Sequence, residues 1–247
     1  MTGSYERFAE IYDDLMIEDI PYDRYIELIE MAIGSIEEKR ILDVGCGTGL
    51  LSTNLAQLGG EVTAVDLSSK MLEIASHRAK ALNVAVNFKQ MPMQEMSGFS
   101  GFDLAIIPID SLNYCLQKED VETTFQHIYQ ALNHNGVLLF DVHSTFKTDV
   151  IFMESPFVYD DGNIAYIWQT EAGEEAHQVD SEIIFYVQAP NGLYERFEEQ
   201  HQQRTFPIEE YVQMLEKSGF KIERIFADWE DEAPEEDSER IFFQVRK

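Results

Sequence analysis

The chain has 247 residues, of which 45% are hydrophobic and 26% are charged, and its formal net charge at pH 7 is −28. This length fits one large domain, or a core with an insertion, and the composition is that of a soluble globular protein. A strongly anionic surface repels phosphate backbones, so we expect neither nucleic acid nor a membrane as a partner.

The first residues, MTGSYERFAEIYDD, carry no basic or apolar segment of the kind that opens a secretory signal. No apolar run approaches the roughly 18 residues that span a bilayer, and we expect a cytoplasmic protein. The two cysteines, Cys46 and Cys115, lie in no C-x-x-C or Cys/His spacing. We therefore predict no metal site and two reduced structural thiols, with a nucleophilic Cys46 as the alternative.

Apolar residues recur at i, i+3, i+4 and i+7 in residues 8–15 and 22–29, and predict two amphipathic helices. From residue 41 onward strands and helices alternate. The predicted strands begin at residue 41 and continue with 61–67, 86–91, 104–109 and 137–142. Helices are predicted over 50–58, after the capping residue Ser68, and through 121–132, where a turn at 133–136 follows. This alternation predicts an α/β fold with a mostly parallel sheet.

The rhythm changes after residue 143, where aromatic and β-branched segments follow one another without an intervening helix. Three strands are predicted, at 164–169, 182–188 and 193–206, as an antiparallel insertion of about sixty residues. A helix at 207–217 and an antiparallel strand pair at 221–227 and 240–246 close the chain. The loop between the last two strands, 228–239, has eight acidic residues and no basic one, and we interpret it as solvated.

The segment ILDVGCGTGL, residues 41–50, places three glycines at alternate positions after a strand, and Asp66 ends the next strand. Such glycines let the backbone approach a ligand closely, and a carboxylate ~20 residues further on suits ribose hydroxyls. A dinucleotide fingerprint needs G-x-G-x-x-G, but Leu50 stands at its third glycine, and Asp43 suits a cationic ligand group better than a pyrophosphate. On this motif alone, a different α/β nucleotide site or a structural turn stays open.

The segment DVGCGTG resembles motif I of the class I S-adenosylmethionine (SAM)-dependent methyltransferases, and the alternation up to His143 with the closing strand pair is similar to that family's core. The resemblance implies a Rossmann-like sheet of seven strands whose last is antiparallel, with helices on both faces, formed by residues 1–143 and 206–247. Residues 1–35 would cap the site. The antiparallel insertion, 144–205, and the N-terminal helices are similar to small-molecule enzymes of the glycine N-methyltransferase and sugar N,N-dimethyltransferase type, and the insertion would form a lid over the acceptor.

By that resemblance the cofactor is SAM, and it binds at the carboxyl ends of the strands, as ligands of such sheets do. The implied cofactor contacts are Tyr12, Asp43, Gly45, Cys46, Gly47, Thr48, Gly49, Asp66, Leu67, Met71, Pro92, Met93, Ile109 and Asp110. Asp43 would hold the ammonium group, Asp66 the ribose hydroxyls, and Asp110 would line the sulfonium end. The adenine contact departs from the family, because the stretch MPM at 91–93 offers no acidic side chain.

These assignments have structural alternatives. Asp66 could be a simple strand-end or helix-cap carboxylate, and Asp43 could pin the loop through backbone N–H groups. His143, at the end of the fifth strand, could be a catalytic base or a satisfied buried histidine.

The acceptor pocket is expected between the strand ends and the insertion, and its implied residues are Asn113, Trp168, Tyr186 and Arg204. Because strand side chains alternate, Tyr166 and Trp168 share one face, and we expect Tyr186 to join them in an apolar surface that either packs the insertion onto the core or forms a roof over the acceptor. His201 and Arg204 are an odd number of residues apart and must point to opposite faces.

The sequence therefore predicts an enzyme, a methyltransferase that moves the methyl group of SAM to nitrogen or oxygen of a small-molecule acceptor by in-line displacement. A SAM-binding sensor or partner subunit without turnover is the main alternative, and an NAD-dependent oxidoreductase is disfavoured by the missing third glycine. The expected partner is the small-molecule acceptor, and a homodimer stays open.

Overall fold

The computed structural model describes residues 20–247, so the first predicted helix and Tyr12 lie outside the described residues. The helices of the described part are α1 (Tyr22–Ile33), α2 (Leu50–Gln57), α3 (Ser69–Leu82), α4 (Lys118–Ala131) and α5 (Ile208–Ser218). Its strands are β1 (Arg40–Val44), β2 (Glu61–Asp66), β3 (Val86–Gln90), β4 (Phe102–Ile107), β5 (Leu132–His143), β6 (Phe157–Asp160), β7 (Ile164–Ala172), β8 (Gln178–Gln188), β9 (Tyr194–Arg204), β10 (Lys221–Ala227) and β11 (Arg240–Arg246).

The main sheet has seven strands in the order β10-β11-β5-β4-β1-β2-β3. Neighbouring strands are parallel except where β11 runs antiparallel to both β5 and β10. The predicted Rossmann-like fold class, with its antiparallel closing pair, is confirmed. The carboxyl ends of β1 to β5 meet at one border of the sheet, which we call the carboxyl edge.

Both faces of the main sheet are covered, because alternate side chains of each strand point to opposite sides. On β5, Leu138 and Phe140 belong to the core beneath α4 and α5, whereas Val137 and Leu139 belong to the core beneath α1 and α2. All four side chains are fully buried. The carboxyl edge is thus held by packing on both sides of the sheet.

Helix ends follow local signals that the sequence already carries. Ser68 caps α3 by accepting a hydrogen bond from the Met71 N–H at 3.3 Å, as predicted. Gly219 ends α5 in the left-handed region with φ of 104°, a conformation that costs glycine little.

The sequence prediction was wrong in the first part of β5 and in the strand count of the insertion. β5 begins at Leu132, so the predicted turn at 133–136 is part of an irregular strand. The chain end holds this stretch, because Lys247 exchanges backbone hydrogen bonds with Asn135 (3.2 Å) and Gly136 (3.0 Å). In the insertion, the four-residue β6 adds a strand, and short helical turns at Lys147–Ile151 and Phe152–Glu154 precede it.

The insertion forms a second, antiparallel sheet in the order β6-β7-β8-β9. Cross-strand pairing puts Trp168, Ile183 and Glu199 in one row on one face of this sheet. This face, which we call the inner face, continues along β9 with His201 and Gln203, and all three β9 side chains are buried. The opposite, outer face carries Tyr186.

None of the described helices has both the length and the apolar composition needed to cross a membrane.

Candidate cofactor and acceptor site

The glycine turn after β1 is held by backbone and side-chain hydrogen bonds from β2. The N–H groups of Gly45 and Cys46 donate to the Val65 carbonyl at 2.8 and 3.0 Å. Gly45, Gly47 and Gly49 all have positive φ, at 74°, 52° and 72°. Residues with a Cβ rarely adopt this conformation, so the alternate glycines are a requirement of the turn itself.

The three glycines differ in what lies beside them. A Cβ at Gly45 would meet the Ser111 Cβ at 2.7 Å, and one at Gly49 would meet the Ala75 Cβ at 2.7 Å. A Cβ at Gly47 would meet nothing within 4 Å. Gly45 and Gly49 therefore allow packing against the turn that follows β4 and against α3, whereas Gly47 borders open space where a ligand can approach the backbone.

Asp66 connects this turn to the start of α3. Its carboxylate accepts hydrogen bonds from the N–H groups of Gly47 and Ser68, both at 2.8 Å. Burial raises the pKa of Asp66, and the backbone N–H bonds oppose that rise. Each carboxylate oxygen has two lone pairs, so the two backbone bonds leave capacity for a ligand hydroxyl. The capping role and the predicted ribose role are compatible.

Asp43 is fully buried beneath the turn. One oxygen, Oδ2, accepts a short hydrogen bond from the Ser52 hydroxyl, and the other, Oδ1, has no hydrogen-bond partner. Burial raises the pKa of Asp43 to about 7, and the negative charge of Asp66 adds to the rise. The partner is a side-chain hydroxyl of α2 and not a backbone N–H, so the expected alternative of a backbone pin does not describe the contacts.

The predicted adenine region follows β2 and β3. Leu67 is 67% exposed directly after Asp66, whereas Met71 is buried on α3. Met93 begins a short helical turn after Pro92 and lies close to the glycine turn, with its Cε 3.8 Å from a Cβ placed on Gly45. An exposed apolar side chain at a strand end suits the face of an aromatic ring.

The carboxyl end of β4 makes an unusual turn. Ile109 and Asp110 have φ of 55° and 48°, which is an outlier for the β-branched Ile109. The buried Asp141 side chain clamps this turn, because its two oxygens accept the N–H groups of Ile109 (2.7 Å) and Asp110 (2.9 Å). Strained turns of this kind concentrate at functional sites, where surrounding contacts hold them in place.

Arg240 of β11 joins the two carboxylates at this turn. Its Nη2 donates to Asp110 Oδ1 at 2.9 Å, and its Nη1 makes a short ion pair with Asp141. Burial raises the pKa of Asp110, but the neighbouring imidazole of His143 and the positive charge of Arg240 outweigh it, so the net pKa lies well below its usual range. Asp110 therefore remains ionised at neutral pH.

Asp110 also contacts the insertion and β5. Its Oδ2 accepts a hydrogen bond from the Gln203 amide at 2.9 Å and lies 3.3 Å from His143 Nε2. Burial lowers the pKa of His143, and the Asp110 carboxylate only partly offsets this. A neutral His143 that gives its Nε2–H to Asp110 keeps a lone pair on Nδ1, and Nδ1 is buried without a hydrogen-bond partner. His143 therefore has one ring nitrogen paired with Asp110 and one, Nδ1, that no described residue satisfies.

Two of the predicted acceptor residues hydrogen-bond to backbone groups, and Arg204 also forms an ion pair with Glu175 at 3.4 Å. Asn113 donates to the Arg204 carbonyl at 2.8 Å and accepts the His143 N–H at 2.9 Å. The Arg204 guanidinium donates to the carbonyls of Leu116 (3.0 Å) and Ala176 (3.1 Å). These contacts assign both side chains to holding the insertion against the carboxyl edge.

The expected aromatic roof is divided between the two faces of the insertion. Trp168 and Tyr166 lie on the inner face, whereas Tyr186 lies on the outer face, opposite Arg196. The expectation that Tyr186 joins Trp168 is therefore wrong, because the pairing of β7 with β8 sets Tyr166 opposite Phe185 and not opposite Tyr186. The predicted separation of His201 and Arg204 is confirmed.

Sequence reasoning missed four side chains of the site: Asp141, Gln203, Glu199 and Arg240. Asp141 and Arg240 lie within strands that already read as core, and Glu199 and Gln203 lie within the polar run EEQHQQR. The sequence carries one signal for these residues, which is a polar or charged side chain at a buried position of a strand. Burying such a side chain is costly, so its presence there indicates a function.

Another surface depression lies at the amino ends of the strands, where Arg40, Gly60 and Val62 line it. Ligands of parallel sheets bind at the carboxyl ends. We therefore do not assign the depression to the cofactor.

Comparison with known proteins agrees with this geometry. Residues 41–136 match the family model described as a methyltransferase domain. Two relatives carry the name "Putative methyltransferase": one from Geobacillus sp. (strain WCH70), 47% identical over 99% of this chain and 100% of the relative, and YqeM from Bacillus subtilis (strain 168), 44% identical over 98% and 97%. The crystal structure of a SAM-dependent methyltransferase from Clostridium acetobutylicum ATCC 824 is similar with a TM-score of 0.88 and 28% identity, covering 98% of each chain.

The chain belongs to the class I SAM-dependent methyltransferases, and its cofactor is SAM. The residues present fit that cofactor on three observations. Open space borders the Gly47 backbone, a buried oxygen of Asp43 has no partner, and the apolar Leu67 is exposed beside Asp66.

Proposed function

We propose that this chain transfers the methyl group of SAM to an amine or hydroxyl of a small-molecule acceptor held between residues 109–113 and the insertion. The observation that supports this most is the Asp110–His143 pair, because it places an unpartnered imidazole nitrogen where the insertion meets the carboxyl edge. The charge of −28 also disfavours nucleic acid as the acceptor.

In this proposal the cofactor half of the site is the edge formed by β1, β2 and β4. The Gly47 backbone would border the methionine part, Asp43 would pair with its ammonium group, and Asp66 would accept the ribose hydroxyls. Leu67 and Met71 would contact the adenine, with Pro92 and Met93 completing that side. Cys46 and Thr48 would contribute through the turn backbone, and the Ile109–Asp110 turn would lie at the sulfonium.

When bound, SAM would supply an electrophilic methyl group, to whose carbon the acceptor lone pair bonds while the carbon–sulfur bond breaks and S-adenosylhomocysteine leaves. The chain's own part is to orient the acceptor and to receive its proton. Alignment of two bound reactants supplies ~7–11 kcal/mol of the barrier lowering in favourable cases. His143 Nδ1 would accept the proton of the acceptor, because Asp110 fixes Nε2 as the protonated nitrogen.

Asp110 stabilises the charge that His143 gains. His143→Gln should lower kcat while the SAM affinity stays within about twofold, because Gln keeps a hydrogen-bonding group but takes up no proton. An equal loss of SAM affinity would instead assign His143 to cofactor binding.

Calorimetry with SAM and NAD tests the cofactor half. We expect heat from SAM and none from NAD. Asp66→Ala should weaken SAM binding by ~1–3 kcal/mol, because two ribose hydroxyls lose their acceptor. An unchanged affinity in a folded Asp66→Ala variant would leave Asp66 as a helix cap only.

Labelled SAM with a panel of small amines and alcohols tests turnover. Methyl transfer to a small acceptor supports the proposal. Tight SAM binding with no turnover on any small acceptor would favour the sensor or partner-subunit alternative, and robust methylation of tRNA or of a protein would contradict the small-molecule assignment.

A further inference from the structure

The inner face of the insertion carries a buried carboxyl that the proposed mechanism does not use. Glu199 of β9 is 1% exposed, and its Oε1 has no hydrogen-bond partner among residues 20–247. No cation among the described residues forms an ion pair with it. Its neighbours on the inner face are Ile183 across the strand pair and Phe197 and His201 along its own strand.

None of these neighbours carries a positive charge that would balance the negative charge of an ionised Glu199. Burial lowers the pKa of His201 to about 4, so this imidazole is neutral at physiological pH. Burial also raises the pKa of Glu199 to about 7. A buried carboxyl oxygen without a hydrogen-bond donor is costly to the fold, and such a group calls for an explanation, of which a bound ligand is one.

The inner face has a second unpartnered polar atom, on Trp168. Trp168 lies in the same cross-strand row as Glu199, two strands away, and its Nε1–H is buried without a partner. The Phe152 ring contacts both the Trp168 ring, at 5.3 Å between centroids, and the His143 ring, at 5.2 Å. Phe152 thus connects Trp168 with His143 at the carboxyl edge, and Trp168 shares its cross-strand row with Glu199.

Glu199 lies on β9 at a distance from the atoms that react. Gln203 contacts Asp110 at the carboxyl edge, and Glu199 lies four residues earlier, or about 13 Å along the strand. A ligand group at Glu199 is therefore remote from the methylated atom. The stacked rings of Phe185 and Phe197, 5.1 Å apart, line the inner face next to Glu199.

We propose that Glu199 anchors a protonated amine at the end of the acceptor remote from the methylated atom. The acceptor class is then an elongated molecule with a cationic group. This inference rests on the proposed function, because it assigns the distal part of the same acceptor site. Trp168 would donate its N–H to an uncharged oxygen of the same ligand.

Titration calorimetry on the full chain saturated with S-adenosylhomocysteine tests the anchor. The probes are tyramine and 1,6-diaminohexane, each paired with its neutral counterpart, 4-ethylphenol and 1,6-hexanediol. We expect at least one amine to bind tenfold or more tightly than its counterpart. Glu199→Gln should remove that preference and leave the affinity for S-adenosylhomocysteine within about twofold.

Glu198→Gln is the matched control, since Glu198 is the next residue but lies on the outer face, paired with Arg196. It should keep the full preference for the amine. If Glu199→Gln does not fold, Glu199→Leu, whose side chain suits burial, takes its place, and a melting temperature at or above that of the wild type verifies its fold.

The anchor is overturned if no amine exceeds its neutral counterpart, or if the preference survives in Glu199→Gln. The first step of each titration, the binding of S-adenosylhomocysteine, distinguishes a failure of the anchor from a failure of the proposed function. A wild-type chain that fails to bind S-adenosylhomocysteine would overturn the methyltransferase proposal itself, whereas normal cofactor binding without amine preference would overturn only the anchor.

Discussion

The glycine turn and the inner face of the insertion bury polar groups in opposite ways. In the turn, the Asp66 carboxylate accepts N–H groups from its own loop and from residue 47. On the inner face, Glu199 and Trp168 present buried polar atoms that nothing in the described part of the chain satisfies. The cofactor region is thus held largely by its own hydrogen bonds, with Asp43 Oδ1 as an exception, while the inner face has unsatisfied groups that, in our proposal, a ligand would satisfy.

The junction of these regions should be the most sensitive point. Arg240→Met leaves Asp110 and Asp141 buried without their common cation, and we expect a loss of about 3–5 kcal/mol in the free energy of unfolding. Urea denaturation measures it. Arg246→Met on the same strand is the control, because its partner Glu223 is about a third exposed and such pairs contribute about 0–1 kcal/mol. Equal losses in both variants would contradict a special role for the junction.

The open space beside Gly47 predicts a loss of binding without a matching loss of fold. Gly47→Val should weaken SAM binding by ~100-fold or more, because the branched side chain would occupy the ligand side of the turn. Gly162→Val is the control for backbone strain, since Gly162 also has positive φ, 89°, and open space, but lies in the insertion. We expect similar losses of melting temperature in the two variants and normal SAM affinity in Gly162→Val. Normal affinity in Gly47→Val would place the ligand elsewhere.

Asp43→Asn should separate stability from binding. The folded pKa of Asp43, about 7, exceeds the value of ~3.9 of an unfolded chain, so the folded protein binds this proton more tightly and is destabilised as Asp43 ionises. The melting temperature of Asp43→Asn minus that of the wild type should therefore increase from pH 4 to 7 and level off above it. SAM affinity should fall about tenfold, through loss of the charge opposite the ammonium group.

Asp161→Asn is the control for this prediction, because the pKa of Asp161 is shifted in the opposite direction to that of Asp43. Hydrogen bonds from the backbone N–H groups of Ile164 and Asn163 lower the pKa of the exposed Asp161, so its ionised form favours the fold. The melting-temperature difference of this variant should not increase with pH. A constant difference for Asp43→Asn across the range would show that Asp43 does not titrate with a raised pKa.

The smallest effect is expected at the aromatic residues of the insertion. Trp168→Phe keeps a ring against Phe152 and Phe157 but removes the unpartnered N–H, so KM for the acceptor found with labelled SAM should rise several-fold. Tyr186→Phe, on the outer face, should change it less than twofold. Equal effects of both substitutions, or a change in SAM affinity, would contradict the assignment of the inner face to the acceptor.

Much of the cofactor region was predictable because its determinants are local. The alternating glycines follow from the positive φ values that the turn needs, and Asp66 reaches Gly47 because parallel β1 and β2 are neighbours in both sequence and sheet. Strand and helix alternation likewise specified the parallel sheet and its antiparallel closing pair.

Only the tertiary structure decided the acceptor side. Tyr186 and Trp168 are aromatic residues on adjacent strands, but a register set by the β7–β8 pairing puts them on opposite faces, and a shift of one residue would have reversed this. Arg240 meets Asp110 across 130 residues of sequence, a contact that no local pattern encodes. The sequence by itself determined the family, the cofactor turn and the alternation of strands and helices in the core, since these depend on backbone conformation and short-range hydrogen bonds. The buried network at the Ile109–Asp110 turn and the unsatisfied inner face depend on strand register and long-range packing, which exist only in the folded chain.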